Sequence, residues 1–328
     1  MKKYAAYNRK KSVARRSALA VLFTCFLFLV LFFVFDAGDK AKPASLGTTT
    51  LAETVAASRS VTEIKTVLEK RGNSVNLPVL MYHHLAASTT QDTTISTEVF
   101  RNQMATLKEN GYHPITIRQL LDYVYRAVDL PDKPVLITFD DGYTSNLTLA
   151  GPILKEYGFH AAIFLIGHHA VVGPFASSGE KLTFFSLEEA KPLVDEGIFE
   201  IQCHSYDFHG SFADEPNRRR GMLPFDGETE EDYEKAIRKD LWLFSFREVR
   251  SGLDEADALS YPYGFYSKQL DDIVKDFGIK VTFTIEPKRN CIVIGDPNSL
   301  RMLGRYNCTD RVDAEKLLSM MNGTYKGR

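Results

Sequence analysis

Three hydrophobic patterns follow one another along this chain. From Ala18 to Phe35 the residues are uncharged and almost wholly apolar, a run that reaches the lower limit for a membrane-spanning helix. From Asp36 to about Asn76, large apolar residues are sparse among Ala, Ser, Thr, Lys and Glu. That composition predicts a stalk, partly helical around Val61 to Lys70. From Leu77 to Arg328, short apolar runs alternate with helical spacings, over a length sufficient for one barrel-sized domain with a large core.

Within this last region the spacing places elements. Ser96 and Thr97 precede Phe100, Met104 and Leu107, a helix that stops at Gly111. Shorter helices are expected from Ile117 to Val128 and near Ala150 to Tyr157, with a strand at Ala161 to Ile166. Ser186-Leu187-Glu188-Glu189 is a capping box opening a helix that closes at Gly197. Tyr233, Ile237, Leu241 and Phe244 line one face of a long helix; Trp242, on the same helix, is read as packing. A last pair is a helix from Ser267 to Phe277 and a strand from Lys280 to Ile285. Alternation of this kind predicts parallel strands covered by helices, an α/β barrel or doubly wound sheet. The polar stretch from Gly210 to Glu231, with Arg218-Arg219-Arg220, is read as a solvated loop.

Chemistry concentrates where apolar runs end. Val135 to Phe139 runs into Asp140-Asp141-Gly142. Adjacent side chains of a regular strand point to opposite faces, so two carboxylates serve one site only if the backbone leaves the strand, as Gly142 allows. An ordinary Asp-Gly turn is the competing reading. A second run, Phe199 to Cys203, leads into His204 and His209. Two imidazoles with one carboxylate make a three-donor set of the kind that leaves a catalytic zinc ion an open position. The histidine pair alone is a weak signal, since histidine also serves as a routine hydrogen-bonding residue.

Taken together, these segments resemble the polysaccharide deacetylase family, also called the NodB-homology domain or carbohydrate esterase family four. Its T-F-D-D-G motif stands at Thr138 to Gly142, its H-S/T-x-x-x-H motif at His204 to His209, and its R-x-P-Y-G motif as Ser260-Tyr261-Pro262-Tyr263-Gly264. The resemblance implies a distorted, incomplete (β/α) barrel. It also implies a divalent metal, zinc foremost, on Asp141, His204 and His209, with Asp140 as general base. The backbone N–H of Tyr263 would serve the oxyanion.

The chain departs from the family pattern twice. Ser260 stands where the third-motif arginine is usual, and no histidine follows His209 to serve as general acid. Tyr82-His83-His84-Leu85, closing the run that begins at Leu77, resembles the opening of a permuted branch of poly-N-acetylglucosamine deacetylases. In that branch an early histidine is the acid and the third motif lacks arginine. His83 takes that position; His84 points the other way and is structural. Arg305, in Leu303-Gly304-Arg305-Tyr306, is at best supportive of the site, and His168 and His169 are more readily structural than substrate contacts.

Seven basic residues and no acidic one precede the first apolar run, which keeps that end cytoplasmic and sends the rest outward. The expected organisation is a basic stub at 1–17, a transmembrane signal anchor at 18–35, a stalk at 36–76 and a catalytic domain at 77–328. A cleaved signal peptide is the alternative. Cys25 fits as a packed apolar residue. With the stub set aside, 33 basic residues face 42 acidic ones, a net of about −9, which disfavours nucleic acid and suits a neutral glycan. Cys291 and Cys308 are read equally as a disulfide or as free thiols.

The function expected is N-deacetylation of amino sugars in a surface polysaccharide by a cell-membrane-anchored enzyme. O-acetyl ester hydrolysis and glycan binding without turnover are the alternatives.

Overall fold

The computed structural model describes residues 73–325 apart from 89–91, 173–174, 178–179 and 211–218. The expected stub and anchor, and residues 36–72 of the expected stalk, lie outside the described residues. Among the described residues no helix is long and apolar enough to cross a membrane.

The strands that carry the site are β1 (Val79–Tyr82), β2 (Pro134–Asp141), β3 (Ala161–Leu165), β4 (Phe199–Cys203), β5 (Ala258–Ser260), β6 (Val281–Phe283) and β7 (Tyr306–Asn307). They lie side by side in the order β6-β5-β4-β3-β2-β1-β7, all parallel, with His113–Pro114 pairing β2 off this path. The helices between them are α1 (Thr97–Glu109), α2 (Ile117–Arg126), α3 (Gly151–Tyr157), α4 (Leu187–Asp195), α5 (Glu230–Arg250) and α6 (Lys268–Phe277), and α7 (Ala314–Asn322) follows the last strand. Parallel strands cannot be joined by tight turns, so every crossover from β1 to β6 carries a helix back across the sheet, while the link from β6 to β7 holds the strand Asn290–Val293 and a 3-10 turn, Pro297–Leu300. The sheet curls until its ends approach. Leu303 N–H donates to Thr282 O (2.7 Å) and Thr284 N–H to Leu303 O (2.8 Å), just before the chain enters β7 beside β1.

The period of two sorts the strand residues into two layers. Val135, Ile137 and Phe139 of β2 face the covering helices, packed with Tyr82, Phe100, Met104 and Phe199. Leu136 faces inward with Val79, Phe164, Val281, Phe283 and Leu303. Helix α2 packs its apolar face (Ile117, Leu120, Leu121 and Val124) into that inner cluster. The inner layer is therefore a packed core, open to chemistry only at the strands' C-terminal ends.

The expected helices form, capped as the sequence indicates. Ser96 Oγ accepts from Val99 N at the start of α1, and Ser186 and Glu189 form the capping box of α4. Differences are local. Helix α2 stops at Arg126, short of Val128, because Ala127 turns into the left-handed region at φ 54°. A π-helical turn, Asn146–Ala150, precedes α3. The stalk ends sooner than expected, since Ser74–Leu77 is a strand paired antiparallel with Asn290–Val293. Cys203, Cys291 and Cys308 are all free thiols, Cys291 exposed and the other two buried.

Phe139 packs against Tyr82, Phe100 and Phe199, with ring centroids 5.4, 5.8 and 6.1 Å away. Phe139→Ala should cost about 3–5 kcal/mol by opening a cavity there, whereas Val249→Ala, on the exposed face of α5, should cost under about 0.5 kcal/mol. Denaturant unfolding of both variants checks this contrast.

Candidate active site

Asp140 continues the inward line Leu136-Thr138-Asp140 of β2 and is buried at the mouth of the barrel. By alternation Asp141 should point among the outer helices. It does not, because Asp141 itself adopts φ 74° and Gly142 follows at φ 83°. The release from the strand thus begins one residue before the glycine expected to provide it. Gly142 is still required, since a Cβ there would run into Leu165.

Arg305, read from the sequence as at best supportive of the site, has a larger part in it. Its guanidinium, wholly buried, donates from Nη1 to Asp140 Oδ1 and from Nη2 to Asp140 Oδ2, both at 2.7 Å. Nη2 also donates to Ser260 Oγ (2.7 Å), and that hydroxyl donates to Asp140 Oδ2 (3.3 Å). The arginine absent from position 260 is therefore supplied from the segment entering β7, and the small serine leaves room for it. Arg305 lies over the Phe164 and Phe283 rings at 5.7 and 6.0 Å, a cation–π seat in the inner layer. The available signal was an arginine among apolar residues just before a buried strand, where a charge needs a partner.

Burial alone would raise the Asp140 carboxyl. Arg305 first, then His204 and His83, outweigh it and hold Asp140 well below the ordinary carboxylate value. Burial likewise opposes ionisation of Asp141, but His209, His83 and His204 bring it below its usual value. Both groups are carboxylates at neutral pH.

His204 follows β4 directly. Its Nδ1 lies 2.8 Å from Ser260 O; a carbonyl only accepts, so Nδ1 carries the proton and Nε2 keeps its lone pair. Burial pushes this imidazole down to about 4, so it is neutral. Nε2 stands 3.6 Å from Asp141 Oδ1, and His209 Nε2 stands 3.4 Å from the same oxygen. That oxygen is buried and has no hydrogen-bond partner among the described residues. Asp141, His204 and His209 offer donor atoms all within 4.8 Å of one another. An orphaned carboxylate oxygen facing two imidazole nitrogens fits a divalent cation, and the donor set is one that suits zinc.

The remaining predicted residues also gather here. His83 follows β1, within electrostatic range of both carboxylates; Asn146 Nδ2 fixes its backbone by donating to His83 O (2.7 Å). Tyr263, at φ 58°, stacks its ring on His209 with centroids 4.3 Å apart, and its hydroxyl donates to Gly210 O (3.0 Å). Position 263 thus supports a candidate ligand as well as the mouth. His84 turns aside to Ser145 Oγ (2.9 Å) and the Tyr143 ring. His168 pairs with Asp207 (3.3 Å), and His169 packs on Phe184 with centroids 4.3 Å apart.

One surface reading needs correction. Arg218 lies outside the described residues, but Arg219 is not solvated. It pairs with Glu228 and sits over the Phe208, Phe225 and Tyr233 rings at 5.2 to 5.3 Å, because aromatic faces and one carboxylate can hold a guanidinium away from water. Trp242 stacks on Phe246 (5.2 Å) and is partly exposed.

Residues 127–282 match the model of the family Polysaccharide deacetylase. The provisionally assigned polysaccharide deacetylase YxkH of Bacillus subtilis is 29% identical over 218 residues, 66% of this chain and 67% of that protein. Poly-beta-1,6-N-acetyl-D-glucosamine N-deacetylases of Staphylococcus aureus and Escherichia coli are each 25% identical. The first match covers 63% of this chain and 67% of the relative; the second covers 58% of this chain but only 31% of the longer Escherichia coli protein. Among solved structures, IcaB from Ammonifex degensii superimposes with a TM-score of 0.61 at 26% identity, covering 75% of this chain and 97% of that one. The de-N-acetylase from Aggregatibacter actinomycetemcomitans gives a TM-score of 0.64 at 22% identity, over 75% of this chain and 100% of that one, a likeness of fold. Residues 127–282, which carry Asp140, Asp141, His204, His209 and Tyr263, are a polysaccharide deacetylase domain of the NodB-homology type.

Proposed function

We propose that this protein hydrolyses N-acetyl groups from amino sugars of a cell-surface polysaccharide. The reading rests on one observation: the Asp141–His204–His209 donor set, with its orphaned Asp141 oxygen, lies beside a carboxylate, Asp140, clamped by a buried arginine. Relatives named as poly-beta-1,6-N-acetyl-D-glucosamine N-deacetylases support the substrate class.

In this reading Asp141, His204 and His209 hold a divalent ion, zinc foremost, which lowers the pKa of water and polarises an acetyl carbonyl. Asp140 accepts the proton of the attacking water. Arg305 keeps it ionised and fixes both of its oxygens, so the accepting orbital is already oriented. The Tyr263 backbone N–H donates to the oxyanion, which requires its left-handed conformation to persist in the complex. His83, beside both carboxylates, protonates the departing amine; an amide nitrogen needs that proton more than an ester oxygen does. Acetate and a free amino sugar are the products. The expected anchor at 18–35 would place this chemistry at the outer face of the cell membrane, with the glycan as partner.

Acetate release from poly-β-1,6-N-acetylglucosamine, chitin oligomers and peptidoglycan, compared side by side with acetylated xylan, tests the reading. Release from an N-acetylated polymer should vanish on chelation and return with zinc. Glycan binding without release would sink the enzyme reading, and release from xylan alone would make it an esterase. Asp141→Ala should lose both metal and activity. His83→Ala should retain metal while turnover falls about 10²–10⁴-fold; unchanged amide cleavage would remove His83 from the acid's role.

A pH profile isolates the base. Because the folded-state pKa of Asp140 is depressed, its ionised form contributes stability above the ordinary carboxylate value of about 3.9 and loses it as pH falls through the depressed one. Arg305→Met removes the cation, so the acid limb of kcat/KM should move to higher pH and stability should fall by about 3–5 kcal/mol. Arg305→Lys, which keeps a charge, should restore part of both. A variant whose acid limb stays in place would show that Arg305 does not control the base.

A further inference from the structure

The loop His204 to His209 must hold two imidazoles at a set spacing, yet it is irregular, with Ser205 at φ 64°. Its carbonyls are taken from one side: Gly167 N–H donates to Ser205 O (3.1 Å) and His168 N–H to Tyr206 O (2.7 Å). Two of its amides are taken from the other side by a single residue of α5. Tyr206 N–H donates to Asp240 Oδ2 (2.7 Å) and Asp207 N–H to Asp240 Oδ1 (2.9 Å). Asp240 is buried. It reaches the loop from beneath, and its two oxygens meet two successive amides in the middle of the histidine motif.

This arrangement demands a carboxylate. An asparagine offers one acceptor oxygen, and its NH2 group would face a backbone N–H. A buried charge is costly in such a place, so a residue needed only to fill the space would be apolar. Glu248, two turns further along α5, provides the contrast. It is equally buried but accepts from Ala256 N–H (3.0 Å), before β5, and takes no part in the histidine loop.

We infer that Asp240 is a positioning residue: by holding the Tyr206 and Asp207 amides it sets the spacing of His204 and His209, and thereby the affinity of the site for its divalent cation. The inference rests on the metal reading above. Groups that orient metal ligands typically change affinity 10- to 100-fold when lost.

The test uses the purified full-length chain, with zinc affinity measured by competition against a chromophoric chelator. Hydrogen exchange at the Tyr206 and Asp207 amides and thermal melting are followed in the metal-free form. Asp240→Asn should weaken zinc binding about 10- to 100-fold and speed exchange at both amides, while the metal-free melting temperature stays within a few degrees. Glu248→Gln should leave zinc affinity within about twofold of the parent. Should the asparagine variant not fold, Asp240→Glu keeps the charge but displaces the oxygens by a methylene, and is expected to weaken zinc in a folded domain. Unchanged zinc affinity in the folded Asp240 variant overturns the inference, as does an equal loss in Glu248→Gln. A parent that binds no zinc overturns the metal reading and this inference with it; a parent that binds, beside an unaffected Asp240 variant, overturns this inference alone.

Discussion

A carboxylate must stay charged in a place without water, and much of the active site follows from that constraint. Asp140 sits at the top of an apolar barrel core, where isolated ionisation would be prohibitive. Arg305 compensates through two parallel bonds of 2.7 Å, the geometry in which a guanidinium matches a carboxylate best. The pair also imposes demands on the fold. The chain entering β7 must pass close to β2, residue 260 must be small, and the Phe164 and Phe283 rings must face the guanidinium. An ion pair of this kind contributes less to stability than equivalent apolar packing would; what it secures is a fixed, ionised carboxylate.

Local periodicity was enough to read the elements, because the signals were local. Phe100, Met104 and Leu107 do line the buried face of α1, and the Ser186 capping box does open α4. The candidate ligands were legible too, since Asp140-Asp141-Gly142 and the histidine pair each lie in a few consecutive residues at strand ends. Arg305, Asp240 and Arg219 were not. Each is a charge placed among apolar residues, and each meets its partner through the fold: Arg305 is 165 positions from Asp140, and Asp240 is 34 from Tyr206. A one-dimensional pattern shows that such a charge needs a partner without showing which one. The sequence reading therefore supplied the candidate ligands but left out much of their support.

The conformation of Asp141 belongs with two others. Asp141, Ser205 and Tyr263 have φ of 74°, 64° and 58°, and each lies in a different motif at the same mouth. Non-glycine residues pay on the order of 1 kcal/mol or more for this region, so the surroundings must impose it. For Ser205 the hydroxyl accepts from Phe208 N–H (3.0 Å); for Tyr263 the ring is held by His209 and the hydroxyl by Gly210 O. The three turns convert strands whose side chains alternate into a cup where neighbouring side chains converge.

The strand Ser74–Leu77 bears on how mechanical load would reach this cup. It pairs with Asn290–Val293 at four positions, Ser74 with Val293 through Leu77 with Asn290, and Leu77 and Ile292 are buried with the α2 face rather than at the mouth. Any tension arriving from upstream of residue 73 therefore falls first on this short ladder. A pull on residue 73 would have to open this ladder before it could be transmitted along Val79–Tyr82 to His83.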